Sequence, residues 1–239
     1  MYSLIDNIMI GLIAGTGFYD VDFLGKAEDE VISTKYGEAH AMVGSGFMLI
    51  SRHGKDHSIP PHMINHKANI SALKEKGVEE VVGITSVGSL RKSIIIGSII
   101  VPHDFMQLAE VQTFFDNAVV HITPSIDEGV RRKLILAAAN LNIKLTPKGV
   151  YFQAVGPRLE SKSEINLMKD YADIVGMTMA TEATLSNELG IRYAAISTVD
   201  NYANGVTKDV LDFKKVIESM KGKKDNVKKI IKKVVEETR

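Results

Sequence analysis

Apolar and polar positions follow two different periods along the chain, and together they predict alternating strands and helices. Residues 8–14 and 81–85 are mostly apolar runs that end in glycine and small hydroxyl residues, a pattern typical of buried strands that lead into tight loops. Residues 62–76 have a helical pattern that ends at Gly77. Residues 103–123 fit neither period and are predicted to form a long loop. Further strands are predicted over residues 31–36, 39–43, 47–50, 94–101, 149–155, 173–177 and 192–199, and further helices over residues 125–141, from 161 and over 181–189.

This alternation favours a single α/β domain over residues 1–239 with a largely parallel sheet. Two of the helices are predicted to begin with a capping box, because each has a serine followed three residues later by a glutamate. The pairs are Ser125 with Glu128 and Ser161 with Glu164.

The end of the chain has a basic helical pattern. Residues 214–239 hold ten Lys or Arg against four Asp or Glu. Apolar residues recur there at the i, i+3, i+4 and i+7 spacing of an amphipathic helix. They are Val227, Ile230, Ile231 and Val234. Two interpretations stay open: a surface helix with a lysine-rich solvent face, and a basic docking element.

Composition limits the classes of function. Lys plus Arg and Asp plus Glu balance at 29 each in 239 residues, so no global charge points to nucleic acid or to a membrane surface. The absence of cysteine excludes disulfides, thiol catalysis and thiolate metal sites, and it fits a cytoplasmic protein. The apolar run near the start follows Asp6 without a basic segment before it, which predicts a core strand rather than a signal peptide. No apolar stretch approaches the ~18 residues that span a bilayer.

Polar side chains follow several predicted strands at the point where each strand ends. Ligands bind at the carboxyl ends of the strands in α/β sheets, so this arrangement predicts a small-molecule site. The residues are Thr16, Arg52, His53, Thr85, Ser86, Thr178 and Asn201. No side chain stands out as an activated nucleophile, so covalent catalysis has no evident agent. Glu182 is either a solvated helix residue or a buried hydrogen-bond acceptor.

Residues 50–69 contain a cluster of histidines. The four are His53, His57, His62 and His66. One interpretation is a solvated loop whose histidines bond to neighbouring backbone. A metal site is the second, although the 4-5-4 spacing matches no standard zinc pattern. The third is an anion site, because an arginine fork beside an imidazole suits a phosphate-sized ligand.

The glycines near the start do not complete a nucleotide-binding motif. Gly15 and Gly17 would need a third glycine at Asp20 for the dinucleotide fingerprint, and no Gly-Lys-Ser/Thr sequence exists for a P-loop. What remains is a short Gly-Thr-Gly loop. It is either a plain turn or a set of backbone and hydroxyl donors for a phosphate oxygen.

Several short motifs occur in an order that is informative as a whole. They are Gly15-Thr16-Gly17-Phe18-Tyr19-Asp20, Arg52-His53-Gly54, Ile59-Pro60-Pro61-His62 with Asn65 and Ala68-Asn69-Ile70, Ser86-Val87-Gly88-Ser89-Leu90-Arg91, Gly156-Pro157-Arg158 and Val175-Gly176-Met177-Thr178. Taken together, from about residue 10 to residue 205, they resemble the methylthioadenosine phosphorylase branch of the purine nucleoside phosphorylases.

The resemblance implies an α/β fold with a central mixed sheet flanked by helices, assembled as a homotrimer or as a hexamer of trimers. It also implies phosphorolysis, in which phosphate attacks C1′ of a purine nucleoside and releases the base. Phosphate is then a co-substrate, and no metal or other cofactor is expected, nor any nucleic-acid or membrane partner.

The resemblance also assigns roles to single residues. Met177 is expected under the ribose, and His121 is expected to reach the 5′ end of a neighbouring subunit's substrate. Because Arg52 is expected on a loop, its loss is predicted to weaken phosphate binding and to leave the fold intact. The residues expected to hold phosphate are Thr16, Arg52, His53, Thr85, Ser86 and Thr178.

Two departures from the family pattern bear on the base. Leu159 stands where the family usually has phenylalanine, and Asn201-Tyr202-Ala203 stands where adenosine-type members carry an Asp-x-Asp pair. An asparagine amide can donate to O6 or N7 of a 6-oxopurine, whereas a carboxylate suits the 6-amino group of adenine. The departure favours inosine, guanosine or 5′-methylthioinosine, with Asn201 assisting the departing base. A one-residue shift would bring the adjacent Asp200 to the base instead.

Three other functions stay open at this point. A 5′-methylthioadenosine phosphorylase would carry out the same reaction on an adenine nucleoside. A nucleosidase would use water in place of phosphate, and a nucleotide-binding module would release no base at all. Turnover of purine nucleosides with and without phosphate distinguishes the last two.

Overall fold

A computed structural model describes residues 9–15, 17, 18, 21–207 and 213–238, and it describes the side chains of the last segment from residue 224 onward. Within these residues the chain forms ten strands and five α-helices. The strands are β1 (Ile10–Ala14), β2 (Ala27–Thr34), β3 (Gly37–Gly44), β4 (Phe47–Ser51), β5 (Glu80–Ser89), β6 (Ile99–Ile100), β7 (Asp104–Gln107), β8 (Val150–Gln153), β9 (Ile174–Gly176) and β10 (Arg192–Tyr202). The helices are α1 (His66–Glu75), α2 (Glu128–Asn140), α3 (Lys162–Met168), α4 (Met179–Glu188) and α5 (Phe213–Thr238).

The strands form one mixed sheet whose centre is parallel. β5 pairs in parallel with β1 on one side and with β10 on the other, and β1 pairs in parallel with β4. The hairpin β2–β3 continues antiparallel from β4. β9 joins the end of β5 antiparallel, and β8 and β7 follow in parallel. The expected α/β fold is therefore confirmed, and the carboxyl ends of the central strands lie side by side.

Helices cover the apolar strands of the sheet. Every residue of β1 is buried, which agrees with the continuous apolar run that predicted it. α1 packs against α4, and α2 packs against α5. These contacts close the core around the central strands, so that the strand ends and their loops remain available for a ligand.

The amphipathic pattern near the end of the chain is confirmed by α5. Its apolar positions are at most 1% exposed where the helix packs on α2 and β10, and its described lysines are half-buried or exposed. These apolar positions are Val227, Ile230, Ile231 and Val234. In the described part of the chain, no helix combines the length and apolar character that a membrane span requires.

Three predicted details are wrong, and each error has a local cause. Asp127, not Ser125, caps α2, because its carboxylate accepts from the Val130 N–H at 2.8 Å. β7 lies inside the segment predicted as a loop, since the neighbouring β8 supplies its hydrogen-bond partners. The extended run predicted before Pro102 is a strand only in β6. The capping box at Ser161 is confirmed.

Candidate active site

A cavity of about 470 Å³ lies at the edge of the sheet where the central strands end. This volume is in the range of small-molecule sites. Its wall takes residues from the loops after β1, β4, β8 and β9 and from the last parts of β5 and β10. Eight of the site residues predicted from the sequence line it: Arg52, His53, Ser86, Leu159, Met177, Thr178, Asn201 and Ala203.

The side chains of two predicted site residues, Thr85 and Tyr202, do not face the cavity. Each lies in a strand, where successive side chains face opposite sides of the sheet. Thr85 is buried with its hydroxyl 2.7 Å from that of Ser197, while Ser86 lines the cavity. Tyr202 donates from its hydroxyl to the Lys92 carbonyl at 3.5 Å, although both of its neighbours line the cavity. The structure thus does not bring Thr85 or Tyr202 to the cavity wall.

Two predicted site residues remain, Thr16 and His121. Thr16 lies outside the described residues. His121 is exposed in the segment between β7 and α2 and does not line the cavity. Its role toward the substrate of a neighbouring subunit stays a prediction.

Arg52 lies on the loop after β4, as expected, but it is only 2% exposed and is therefore a buried charge. Its Nε and Nη2 donate to the two carboxylate oxygens of Glu182 at 2.5 and 3.1 Å. Nη2 also donates to the Ile13 carbonyl at 3.0 Å, and Nη1 donates to the Ile84 carbonyl at 2.8 Å. A guanidinium has five N–H groups, and one on Nη1 has no acceptor within the described residues. Nη1 lies beside Gly15, where a Cβ would approach it to 2.6 Å, so a ligand anion would meet one N–H and not the fork.

Glu182, in the first turn of α4, is 1% exposed, which confirms the interpretation as a buried acceptor. Tyr193 donates from its hydroxyl to Oε2 of Glu182 at 2.8 Å. Burial, reinforced by the Glu182 carboxylate, raises the pKa of Tyr193 well above its ordinary value, so the hydroxyl stays a donor. His66 lies with Nδ1 4.0 Å from Oε1 of Glu182, and burial lowers the pKa of His66 to about 4. Although burial alone would lower the pKa of Arg52, the Glu182 carboxylate raises it.

The four clustered histidines have separate environments. His53 lines the cavity, and its Nδ1 lies 2.8 Å from the Ile59 carbonyl, which leaves Nε2 for a ligand. Burial lowers the pKa of His53. The His57 ring meets it edge-on with centroids 4.8 Å apart, whereas His62 is exposed and His66 is buried. Among the described residues, no group of three or more His, Cys, Asp or Glu side chains is placed to hold a metal ion.

Asn201 and Asp200 occupy different environments because β10 has a register irregularity between Val199 and Asn201. Asp200 is 1% exposed and accepts from the Ser86 hydroxyl. Asn201 lines the cavity, and its Nδ2 donates to the backbone carbonyl of the next residue at 2.9 Å. A Cβ on Gly88 would lie 3.2 Å from that Nδ2, so the glycine makes room for the amide. The residue at the cavity is therefore Asn201, and Asp200 does not line it.

Thr178 lies between β9 and the amino end of α4, and it lines the cavity. Its hydroxyl makes no capping hydrogen bond to the helix, while its backbone N–H donates to the Tyr151 hydroxyl at 3.1 Å. The amino end of a helix carries partial positive charge, which favours an anion beside it. Met177 lines the same wall, and Gly156, with φ 73°, leaves space for its sulfur.

Glu160 is a lining residue that the sequence analysis missed. It is 8% exposed, and burial raises the pKa of its carboxyl group. The Asn204 side chain donates to its backbone carbonyl at 3.2 Å. The nearby motif Gly156-Pro157-Arg158 contains Arg158, but this residue is largely exposed and pairs with Glu164 at 2.7 Å. The sequence feature that could have identified Glu160 is its place as a charged residue two positions after that motif.

Known proteins resemble the chain over nearly all of its length. The model of the phosphorylase superfamily matches residues 9–236. A relative from Archaeoglobus fulgidus named "Probable 6-oxopurine nucleoside phosphorylase" is 42% identical over 234 residues, which cover 96% of this chain and 95% of the relative. A "Probable S-methyl-5'-thioinosine phosphorylase" of Methanocaldococcus jannaschii is 38% identical over 231 residues, with 93% and 90% covered. The solved methylthioadenosine phosphorylase of Schistosoma mansoni with adenine has a TM-score of 0.87 at 26% identity and covers 95% of this chain and 90% of its own.

Proposed function

The chain belongs to the phosphorylase superfamily, and on this premise we propose that it cleaves purine nucleosides with phosphate. The products are the free base and ribose 1-phosphate or its 5′-methylthio form. The observation that carries this function is one cavity whose wall combines Arg52, His53 and Thr178, which suit an anion, with the Asn201 amide and the Glu160 carboxyl group.

The phosphate is held by groups that need no proton chemistry. Arg52 offers one Nη1 N–H, Thr178 offers its hydroxyl, and the amino end of α4 adds partial positive charge. His53 contributes Nε2, since Nδ1 is engaged by a backbone carbonyl. Ser86 contributes its backbone N–H, because its hydroxyl proton goes to Asp200.

Phosphate is itself the nucleophile in this reaction, so the chain needs no activated side chain. Positive charge develops on the sugar and negative charge on the departing purine in the transition state. The protein therefore has to orient the anion against C1′ and stabilise the leaving base. Met177, between the β9 end and α4, is proposed to lie under the ribose.

The base is proposed to be a 6-oxopurine. Its O6 and N7 accept hydrogen bonds, and the Asn201 amide is a donor for either. Its N1–H is a donor, and the Glu160 carboxylate is an acceptor, whereas adenine presents a lone pair at N1 that a carboxylate repels. Leu159 and Ala203 supply apolar surface beside the ring. The proposed substrates are inosine, guanosine and 5′-methylthioinosine.

A substrate panel tests this function. We expect free base from inosine, guanosine and 5′-methylthioinosine only when phosphate is present, with lower kcat/KM for adenosine and 5′-methylthioadenosine. Release of base without phosphate would identify a nucleosidase, and a preference for the two adenine nucleosides would identify a 5′-methylthioadenosine phosphorylase. Activity is expected to survive exhaustive chelation with EDTA, whereas loss with EDTA and recovery with zinc would support a metal site.

The assembly proposed for the chain is a homotrimer or a hexamer of trimers. Several apolar side chains are exposed in the segment between β7 and α2, up to 92% at Val119, and a neighbouring subunit would cover them. His121 lies in this segment, which agrees with a role at the neighbour's substrate. The cytoplasmic location expected from the cysteine-free composition stays a prediction.

A further inference from the structure

We propose that Glu182 is a positioning residue for phosphate: it binds the fork of Arg52 and so presents a single Nη1 N–H at the cavity wall. The inference rests on the proposed function, because phosphate is the anion that this N–H would meet. Glu182 does not line the cavity, and it acts on the substrate only through Arg52.

The arrangement of hydrogen-bond acceptors around the guanidinium determines its orientation. Glu182 accepts from Nε and Nη2 of Arg52 at 2.5 and 3.1 Å, which fixes the plane of the group. The carbonyls of Ile13 and Ile84 accept two further N–H groups. Among the described residues, one N–H on Nη1 has no acceptor and lies beside Gly15, and both Arg52 and Gly15 line the cavity. A rotation of the guanidinium would break several of these bonds at once.

Glu182 is itself fixed by a third group. Tyr193 donates to Oε2 at 2.8 Å, and a Cβ on Gly83 would lie 2.0 Å from the Tyr193 hydroxyl and 3.0 Å from Oε2 of Glu182. A Cβ on Gly15 would likewise collide with Nη1 of Arg52. Both glycines have ordinary backbone conformations, so their lack of a side chain serves this network.

A Glu182→Gln substitution distinguishes a positioning role of residue 182 from a role in packing, because the shape of the side chain is kept. Its amide has nearly the same shape, but it has one acceptor oxygen where the carboxylate has two. Its NH₂ group would face an N–H of Arg52, and two facing donors push the guanidinium out of its plane. Removal of the carboxylate charge alone would make the site more attractive to an anion. Loss of the positioning role therefore predicts weaker phosphate binding, whereas loss of the negative charge alone predicts tighter binding.

The experiment compares Glu182→Gln and Tyr193→Phe with the wild type and with a matched control, Glu80→Gln. Glu80 is likewise buried, at 2% exposure, and pairs with Lys133 and Arg192 at 2.5 and 2.9 Å, but it lies at the opposite end of β5 from the cavity. For each protein, the KM for phosphate, the KM for inosine at saturating phosphate, the Tm and the Kd of inorganic phosphate by calorimetry are measured.

We expect Glu182→Gln to raise the KM and the Kd for phosphate by roughly ten- to a hundredfold, with the KM for inosine nearly unchanged. Tyr193→Phe should act in the same direction with a smaller effect, and it keeps the test available if Glu182→Gln does not fold. Glu80→Gln should lower Tm without a change in phosphate affinity.

Unchanged or tighter phosphate binding in both Glu182→Gln and Tyr193→Phe would overturn the proposal. Phosphate binding without phosphorolysis in the wild type would instead refute the proposed function and leave the calorimetric test of Glu182 intact.

Discussion

At the scale of single residues, the proposed choice of a 6-oxopurine depends on Asn201, which lines the cavity. The Asn201→Asp variant should turn over inosine-type substrates more slowly, because a carboxylate cannot donate to O6 unless protonated. Its charge also opposes the anionic character of the departing base. The same carboxylate accepts from a 6-amino group. The ratio of kcat/KM for inosine to kcat/KM for adenosine should therefore fall about ten- to a hundredfold, which corresponds to a relative change in activation free energy of roughly 1–3 kcal/mol.

The measurement is kcat/KM for inosine and adenosine, each with and without the 5′-methylthio group. Asn140→Asp, an exposed change at the end of α2, is the control for an added charge and should leave the ratio unchanged. A wild type that already prefers the 6-amino substrates would contradict the role of Asn201.

The stability effect of Arg52 is the reverse of what the sequence predicts. Arg52→Ala should lower the free energy of unfolding by roughly 3–5 kcal/mol, because it leaves the Glu182 carboxylate buried without its partner. Urea denaturation measures this loss. Arg158→Ala is the control, since Arg158 also pairs with a glutamate but is largely exposed, and its loss should cost less than about 1 kcal/mol. Equal losses in the two variants would contradict the structural account.

For single residues, sequence patterns predict the place of a side chain along the fold but not its distant contacts. A strand end and an Arg-His pair were enough to place Arg52 and His53 at a ligand site. The partner of Arg52 is 130 positions away along the chain, and no local pattern connects the two. The same holds for Thr85, whose contact with Ser197 depends on the pairing of β5 with β10.

At the scale of elements, α1 begins with His66, which is buried near Arg52, Glu182 and His53. Its pKa is about 4 in the folded chain against an ordinary 6.5. Between these pH values the unfolded chain binds a proton that the folded chain does not. The contribution of His66 to stability is therefore complete above pH 6.5 and is lost as the pH falls toward 4, by about 3 kcal/mol at most.

Urea denaturation between pH 7.5 and pH 4.5 tests this dependence. His66→Asn should flatten the fall in stability on the acidic side, because asparagine does not titrate. His62→Asn changes an exposed histidine and should leave the curve as in the wild type. Parallel curves for wild type and His66→Asn would contradict the assignment.

Elements with their own local signals were predicted from the sequence, and elements that depend on a neighbour were not. The capping box of α3 and the apolar stripe of α5 are local patterns, and both are confirmed. β7 has a weak pattern of its own and is a strand because β8 lies beside it. β10 runs on to Tyr202 along β5, which carries Asn201 to the cavity.

At the scale of the whole molecule, the segment between β7 and α2 exposes several apolar side chains. Five of its apolar side chains are 36–92% exposed. They are Leu108, Val111, Val119, Val120 and Ile122. Soluble monomers rarely expose large apolar patches, so this segment favours contact with another subunit.

The final prediction concerns this contact. Val119→Lys should shift the protein toward a smaller species in light scattering after size-exclusion chromatography, because a buried lysine at a subunit contact is strongly unfavourable. If His121 serves the neighbour's substrate, kcat/KM should fall together with the assembly. Leu136→Lys is the control, since Leu136 on α2 is 53% exposed and should tolerate the charge. An assembly unchanged by Val119→Lys would place the subunit contact elsewhere, and lost activity in an intact assembly would point to a local effect on His121.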